Sequence, residues 1–462
     1  MKYAIFGTGK YFLDCYRYLN DDDVLFLIDN DENKWGTSIN GKVIYSPINV
    51  NYDQCDFILI LVMQYDSIVQ QLLSYGILYE KIKLYYDIPY LYNMQPKIVS
   101  NNCIINFNKW KIEHCSETVF VCSHEFSRTG VPIALMHLCK LLKKMGYDVL
   151  FSALNQGNLE LELCVEGIDY VKDFGLFYKS ELYKEMMRTF NFIFLGSVVT
   201  STLGKEIANM NIPIIWWLHE SSDIAYKHYP LIINNNIHYF GVGKRVLHKF
   251  KEYYPNGSIS EMLYFLPDEE IKNKVKENSK IIFALAGTIE KRKGQDIFIE
   301  AIGQLPEEVL ARTEFLLIGT YRDEVFFTEI KHEINKNKHI RWIGELTQAE
   351  LREQYKSIDV LVCPSRDDPM PIVVTQALQN GIPCIVSDEV GQMEYLSEGK
   401  GGSVFASEDA KELARYICEY VSNTDLILQK GKDAKIIFED HFSEKAMREN
   451  LTNIIKYFKG CD

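Results

Sequence analysis

The chain has 462 residues, enough for two or three domains, and 47% of them are hydrophobic, which supports well-buried cores. Its formal net charge of −13 argues against nonspecific nucleic-acid binding. No apolar run approaches the roughly 18–20 residues of a membrane span, and the 11 cysteines are scattered without CxxC pairs or metal-ligand spacing, so they read as reduced core residues of a cytoplasmic protein without a structural metal.

The start, MKYAIFGTGK, enters a strand at once and has no signal-peptide pattern. Residues 1–95 read as a separate α/β unit: KYAIF as strand, a Gly-rich turn, then a helix; VLFLIDND as a second strand ending in Asp29; CDFILILV as a third; then a helix over 66–75 and KIKLYY. The pattern is a small Rossmann-type domain with an incomplete dinucleotide fingerprint. Gly7 and Gly9 are present, Phe12 stands where a third glycine belongs, and Asp29 lies about 20 residues on, where a ribose-binding acid is expected. Gly7, Gly9 and Asp29 are therefore the candidate cofactor-binding residues. An assembly domain that kept the fold without a ligand accounts for them equally well. Residues 96–117 read as a linker.

Over 118–265 the chain resumes strand–loop–helix–strand with TVFVCSHEFSRTGVPIALMHLCKLLKKMGYDVLF. Val131, Leu135, Leu138, Leu142 and Met145 recur at helical spacing and form a core-facing stripe. Lys140, Lys143 and Lys144 offer a local basic patch on that helix, although a solvated helix face explains them as well. IPIIWWLHESS is an apolar strand whose end carries His219 and Glu220, a placement that points polar groups into the crevice where α/β proteins bind ligands. Trp216 and Trp217 read as packing residues.

From 268 to 440 the alternation continues. KIIFALAGTIEKRKGQDIFIEAI is strand, basic loop and helix, with Arg292 and Lys293 just before Gly294; cations beside free helix-start amides suit a diphosphate. EFLLIG, IRWIGEL and AELREQYKSIDVLVCPS add further strands and a helix. In CPSRDDPMPIVVTQALQNGIPCIVSD, Asp368 precedes Gln376 by eight positions, Pro371 suits the first turn of a helix, Gly381 can end it in a left-handed conformation, and CIVSD is a buried strand. SEKAMRENLTNIIKYFK, over 443–459, reads as a closing helix.

The segment 363–388, CPSRDDPMPIVVTQALQNGIPCIVSD, resembles the donor-site signature of the family-4 retaining glycosyltransferases of GT-B fold, with Asp368 and Gln376 in place of the family's two Glu residues. The loop at 291–293 looks like the one that grips the donor pyrophosphate, and the loop around Gly130 is similar to the family's glycine loop. The resemblance implies an α/β, GT-B fold of two facing Rossmann-like domains, 118–265 and 268–440, preceded by the small Rossmann-type domain and followed by a crossing helix. The catalytic residues it implies are Asp368 and His219. Arg292, Lys293, Gly130, Met370, Pro371, Ile372 and Gln376 would bind the donor. The expected activity is metal-independent, hexosyltransferase-like transfer from a nucleotide-diphosphate sugar to a glycan or lipid-linked acceptor in bacterial surface polysaccharide synthesis. No cofactor beyond the donor substrate is required. The expected place is the cytoplasm, with the inner face of the plasma membrane open to peripheral association, and partner enzymes of a glycan pathway follow from that setting. The N-terminal unit is similar to nucleotide- or sugar-binding domains attached to other sugar-modifying enzymes. A noncatalytic glycosyltransferase-like subunit that binds a partner transferase or an acceptor is the other reading of the Asp368/Gln376 pair.

Overall fold

A computed structural model describes residues 1–114, 117–267, 280–396 and 399–459. The start of the 268–440 region, residues 268–279, lies outside the described residues. The chain divides into two compact units. One comprises Met1–Ser127, Gly146–Ile193 and Thr202–Ile212, and the other Arg128–Met145, Phe194–Ser201 and Pro213–Asp462.

The first unit contains a six-stranded sheet in the order Ser38–Ile39, Lys42–Tyr45, Val24–Ile28, Tyr3–Phe6, Phe57–Ile60, Ile82–Leu84. Tyr3–Phe6 pairs in parallel with both neighbours. Tyr3–Phe6, Val24–Ile28 and Phe57–Ile60 are short apolar runs buried on both faces, as parallel strands covered by helices must be. Ala4, Phe6, Ile28, Ile58, Ile60 and Leu72 form the centre of their core. The expected helix over 66–75 is present as Asp66–Ser74.

Elsewhere in this unit, Thr118–Glu125 and Asp148–Asn155 pair in parallel, and Asp148–Asn155 also pairs with Asp169–Val171. The segment 96–117 is not the expected linker. Lys97–Ser100 and Cys103–Asn106 form a hairpin whose first strand pairs antiparallel with Asp169–Val171. Asn101 and Asn102, at φ 47° and 61°, make its two-residue turn, because asparagine tolerates the left-handed conformation that such turns require. The helix Phe107–Glu113 then buries Trp110, whose indole N–H donates to Asp169 at 2.7 Å. A local hairpin and two long-range attachments thus fix a stretch whose composition resembles that of a connector.

The second unit contains the helix Gly130–Lys144, with Leu135, Leu138 and Leu142 fully buried. Three of its strands, Ile214–Leu218, Ile237–Gly241 and Ile259–Glu261, pair in parallel. Trp216 and Trp217 are fully buried in the first of them, and each indole N–H donates to a backbone carbonyl, of Ser197 and Met262 respectively. A six-stranded parallel sheet follows in the order Ile340–Trp342, Thr313–Ile318, Ile281–Ala286, Val360–Cys363, Cys384–Ser387, Gly402–Phe405. Phe283, Phe298, Phe315, Val360, Ile385 and Ile417 form the centre of its core. The closing helix, Glu444–Lys459, brings the Phe458 ring within 4.4 Å of His238 on the strand Ile237–Gly241, and Glu444 pairs with Lys144 at 2.6 Å. That pair draws one lysine of the supposed basic patch into an internal contact.

Candidate active site

In the second unit, the strand Ile281–Ala286 runs into a loop that ends in a single tight turn at Lys291–Lys293, and the helix Gln295–Gly303 starts immediately after it. Gly294 joins turn to helix at φ 71°, and a Cβ there would lie 2.1 Å from the Pro364 carbonyl oxygen. Only glycine fits, on conformation and on space alike. The basic turn is therefore pressed against the loop that follows the strand Val360–Cys363. Gly294→Ala should cost at least about 2 kcal/mol through left-handed strain and a backbone clash. Urea unfolding curves check this, and unchanged stability would contradict the packing described.

The opposite side of that contact carries the carboxylates. Asp368 is 6% exposed, and its Oδ2 accepts from Lys293 Nζ, with Arg292 Nη1 3.7 Å away. Arg292 also donates to the Asp367 carbonyl at 2.8 Å and to Glu290 at 2.7 Å. Arg366 braces the turn from below. Its backbone N–H donates to the Arg292 carbonyl at 2.7 Å, while its guanidinium forms a bidentate pair with Asp296 at 2.8 and 2.9 Å and also reaches Glu408. The two-pronged geometry fixes a planar guanidinium more firmly than a single bond does.

Asp368 leads directly into the helix Ile372–Gln379. Pro371 is its N-cap, one position earlier than the expected first turn, and Gly381 follows its end at φ 64°. Met370 is 7% exposed. Gln376 Oε1 accepts from the Tyr355 hydroxyl at 3.2 Å, and the same hydroxyl lies 3.1 Å from the Val373 carbonyl. Around the first turn, the Thr375 hydroxyl meets Tyr264 at 2.7 Å and accepts from Gln392 Nε2 at 3.1 Å, while Gln392 also donates to the Pro371 carbonyl. Gly130, which opens the helix Gly130–Lys144, faces Ile372: a Cβ on Gly130 would lie 3.8 Å from Ile372 Cδ1.

His219 follows the strand Ile214–Leu218, with its ring 4.6 Å from that of Trp217. Glu220 accepts from the backbone N–H groups of His219 and Val198 and from the Ser197 hydroxyl. It thus pins the turn at Ser197, where φ is 78°, and acts as a bracket rather than a ligand-facing acid. Two residues on, the Ser221 hydroxyl donates to Asp367 at 2.8 Å, and Arg245 reaches the same carboxylate at 3.4 Å. The His219 loop is thereby tied to the loop that carries Asp368.

The structure accordingly gathers Gly130, His219, Arg292, Lys293, Asp368, Met370, Pro371, Ile372 and Gln376 on connected elements of one unit. It also adds Arg366 and Tyr355, which local pattern did not reveal. Tyr355 ends the helix Gln348–Tyr355, 21 positions from Gln376, and the partners of Arg366 lie 70 and 42 positions away. Among the described residues, no group of three His, Cys, Asp or Glu side chains is placed to hold a metal ion, and no helix is long and apolar enough to cross a membrane.

The glycine pair and Asp29 lie in the first unit. Gly7 has φ 97° and packs against Val62, and Gly9 is the N-cap of the helix Lys10–Tyr16. Phe12 is buried under that helix. The Asp29 carboxylate accepts from the Thr8 N–H at 2.9 Å, the Thr8 hydroxyl, the Asp31 N–H at 3.0 Å and Lys34 at 3.0 Å. Burial pushes its pKa up, but these bonds outweigh burial and hold it below the ordinary carboxylate range. Both oxygens thus already serve the domain's own turns.

Residues 267–436 match the family described as "Glycosyl transferases group 1", residues 115–253 match "Glycosyl-transferase family 4", and residues 1–83 match "C2185-like, N-terminal". Among curated relatives, spore coat protein SA of Bacillus subtilis (strain 168) is 26% identical over 194 residues, which is 40% of this chain and 51% of that protein. The lipopolysaccharide core biosynthesis mannosyltransferase LpcC of Rhizobium leguminosarum bv. viciae is 24% identical over 152 residues, 32% of this chain and 43% of that protein. The chain thus spans about half the length of the curated relatives it matches. A solved structure of Anabaena Alr3699/HepE in complex with UDP-glucose superimposes with a TM-score of 0.61 at 14% identity, covering 74% of this chain and 99% of that one, and shares its fold. With two successive transferase regions matched and the parallel-sheet architecture shared, the chain belongs to the family-4 glycosyltransferases of GT-B fold.

Proposed function

We propose that the chain is a retaining glycosyltransferase that moves a sugar from a nucleotide-diphosphate sugar to a hydroxyl of a glycan or lipid-linked acceptor, in the synthesis of a bacterial surface polysaccharide. The observation that carries this reading is the placement of Lys293 and Arg292 on the Asp368 carboxylate, at the entrance to the helix that bears Gln376. In transfer, the bond from the anomeric carbon to the diphosphate oxygen breaks and negative charge grows on the departing diphosphate, while a bond to the acceptor oxygen forms and the acceptor hydroxyl's proton passes to the departing diphosphate oxygen. Lys293, Arg292 and the amides at the start of Gln295–Gly303 are fixed donors for that charge and need no reorganisation as it develops. Asp368 keeps Lys293 extended before the donor arrives. His219 and Asp368 would face the transferred sugar, Gln376 would bind the ribose, and Gly130, Met370, Pro371 and Ile372 would line the path of the donor.

The relatives support the setting. One is named as a lipopolysaccharide core mannosyltransferase, and the Anabaena structure holds UDP-glucose. Nucleotide sugars are made in the cytoplasm, so the reaction belongs there, on a soluble glycan or at the inner membrane face.

Cationic side chains and amides suffice to neutralise the diphosphate, so binding and transfer should persist in excess chelator. A thermal-shift panel of nucleotide sugars, run with and without EDTA, tests this. A single donor at a hundredfold excess over its dissociation constant should stabilise the protein by about 2.7 kcal/mol. Loss of the shift in EDTA with recovery on adding manganese or magnesium would refute metal independence, and no shift with any nucleotide sugar would refute the donor site itself.

A further inference from the structure

A cavity of about 580 Å³ opens in the first unit, lined by none of the donor-site residues. Tyr65 and Tyr86 form one wall. They follow the parallel neighbouring strands Phe57–Ile60 and Ile82–Leu84, at the carboxyl edge where α/β sheets carry ligands. Their rings stand 6.0 Å apart at 70°, and the two hydroxyls are 3.4 Å apart. Tyr90, 87% exposed, stands at the rim, with the amides of Asn93 and Gln95 beside it. The facing wall comes from residues 179–184 and Glu206. There Ser180 is 7% exposed, and its hydroxyl has no hydrogen-bond partner. That oxygen is itself occluded, so the groups left to meet a ligand are the tyrosines, amides and carboxylates of the walls.

The charges define the ligand's class. Three carboxylates, Asp87, Glu181 and Glu206, line the cavity against two ammonium groups, Lys179 and Lys184. Lys184 is already paired with Glu206 at 2.9 Å and Glu181 at 3.5 Å, and Lys179 Nζ stands 5.8 Å over the Tyr65 ring. No cationic cradle is left for a phosphate or nucleotide. Tyrosine faces suit the C–H faces of sugar rings, while amides and carboxylates suit ring hydroxyls. The volume is that of a pocket for a small organic ligand rather than for a single ion.

We propose that this cavity is a saccharide-binding site that takes a short neutral oligosaccharide, separate from the donor site and independent of the donor-site reading. It gives the first unit a ligand other than the dinucleotide that Gly7 and Gly9 suggest.

The test uses the full chain and a panel of neutral tri- and tetrasaccharides (maltotetraose, cellotetraose, chitotetraose and mixed galactose oligomers), read by saturation-transfer NMR and calorimetry. At least one should bind wild type at millimolar concentration or better, and UDP should not displace it. Tyr86→Ala and Tyr90→Ala should each weaken it about tenfold, with the UDP thermal shift unchanged. Tyr90 is exposed enough that its loss leaves folding intact, so Tyr90→Ala decides the matter if Tyr86→Ala folds poorly. No binding by any panel member, affinity unchanged in Tyr90→Ala, or displacement by UDP would each overturn the proposal. So would binding of a lysine-rich peptide with no saccharide bound.

Discussion

Lys293→Met should weaken nucleotide-diphosphate binding and lower transfer together, by about 2–4 kcal/mol if the ammonium meets a desolvated diphosphate. The side chain is 18% exposed, and its charge is aimed by Asp368, so it is partly dehydrated and already oriented before any donor arrives. Both conditions raise the value of an electrostatic contact. Binding and rate fall in step because the diphosphate carries charge in the ground state and more of it as the sugar departs. The substitution also strands a buried carboxylate. Arg292 remains 3.7 Å from it, so the stability loss should stay below the roughly 3–5 kcal/mol of a fully abandoned buried partner. The double variant Lys293→Met/Asp368→Asn separates the two effects: stability should recover and nucleotide affinity should not. Calorimetric titration with UDP and GDP beside thermal melts gives both readings. Wild-type affinity in Lys293→Met would show that the turn is only a solvated basic surface.

The parts of the fold that could be read from sequence are those whose pattern is local. Runs such as IIFALA and FLLI are buried on both faces, so their hydrophobicity is continuous and marks parallel strands. Helix punctuation was local too: Gly381 ends its helix where expected, and Pro371 missed its expected place by one position. The hairpin at 97–106 looks like a linker in sequence because its exposed strand, Cys103–Asn106, lacks a buried face, and its anchor, Trp110 on Asp169, spans 59 positions. The Asn101–Asn102 pair was the available signal. In the candidate site, the residues that carry charge or cap a helix were visible one by one. Their braces were not. Arg366 gains its role from Asp296 and Glu408, Tyr355 from Gln376, and Glu220 from the turn at Ser197. A brace is defined by its partner, and partners distant in sequence leave no periodic trace.

Asp368 and Gln376 should respond unequally to substitution. Asp368 is buried, holds Lys293 and stands at the entrance of the helix Ile372–Gln379. Asp368→Asn keeps the shape and an acceptor oxygen but removes the charge that orients the ammonium. Turnover should fall about a hundredfold, the scale of losing one preorganised electrostatic contact, while donor affinity changes only a few-fold. Gln376 Oε1 accepts from Tyr355 at 3.2 Å, and under the proposed function its amide is offered to the donor. A carboxylate accepts the same Tyr355 hydrogen bond and the same ribose hydroxyl, so Gln376→Glu should be tolerated. Gln376→Ala should weaken donor binding by about 1–2 kcal/mol, the worth of one hydrogen bond whose partner is left behind. Tyr355→Phe should give a smaller loss of the same kind, because it frees the Gln376 side chain without removing it. Steady-state kinetics separates the two positions: Asp368 in kcat, Gln376 and Tyr355 in KM. Equal effects on both constants at both positions would contradict this division of roles. If wild type transfers nothing from any donor to any acceptor while Gln376→Glu gains activity, the chain is better understood as a noncatalytic subunit whose second carboxylate has been lost.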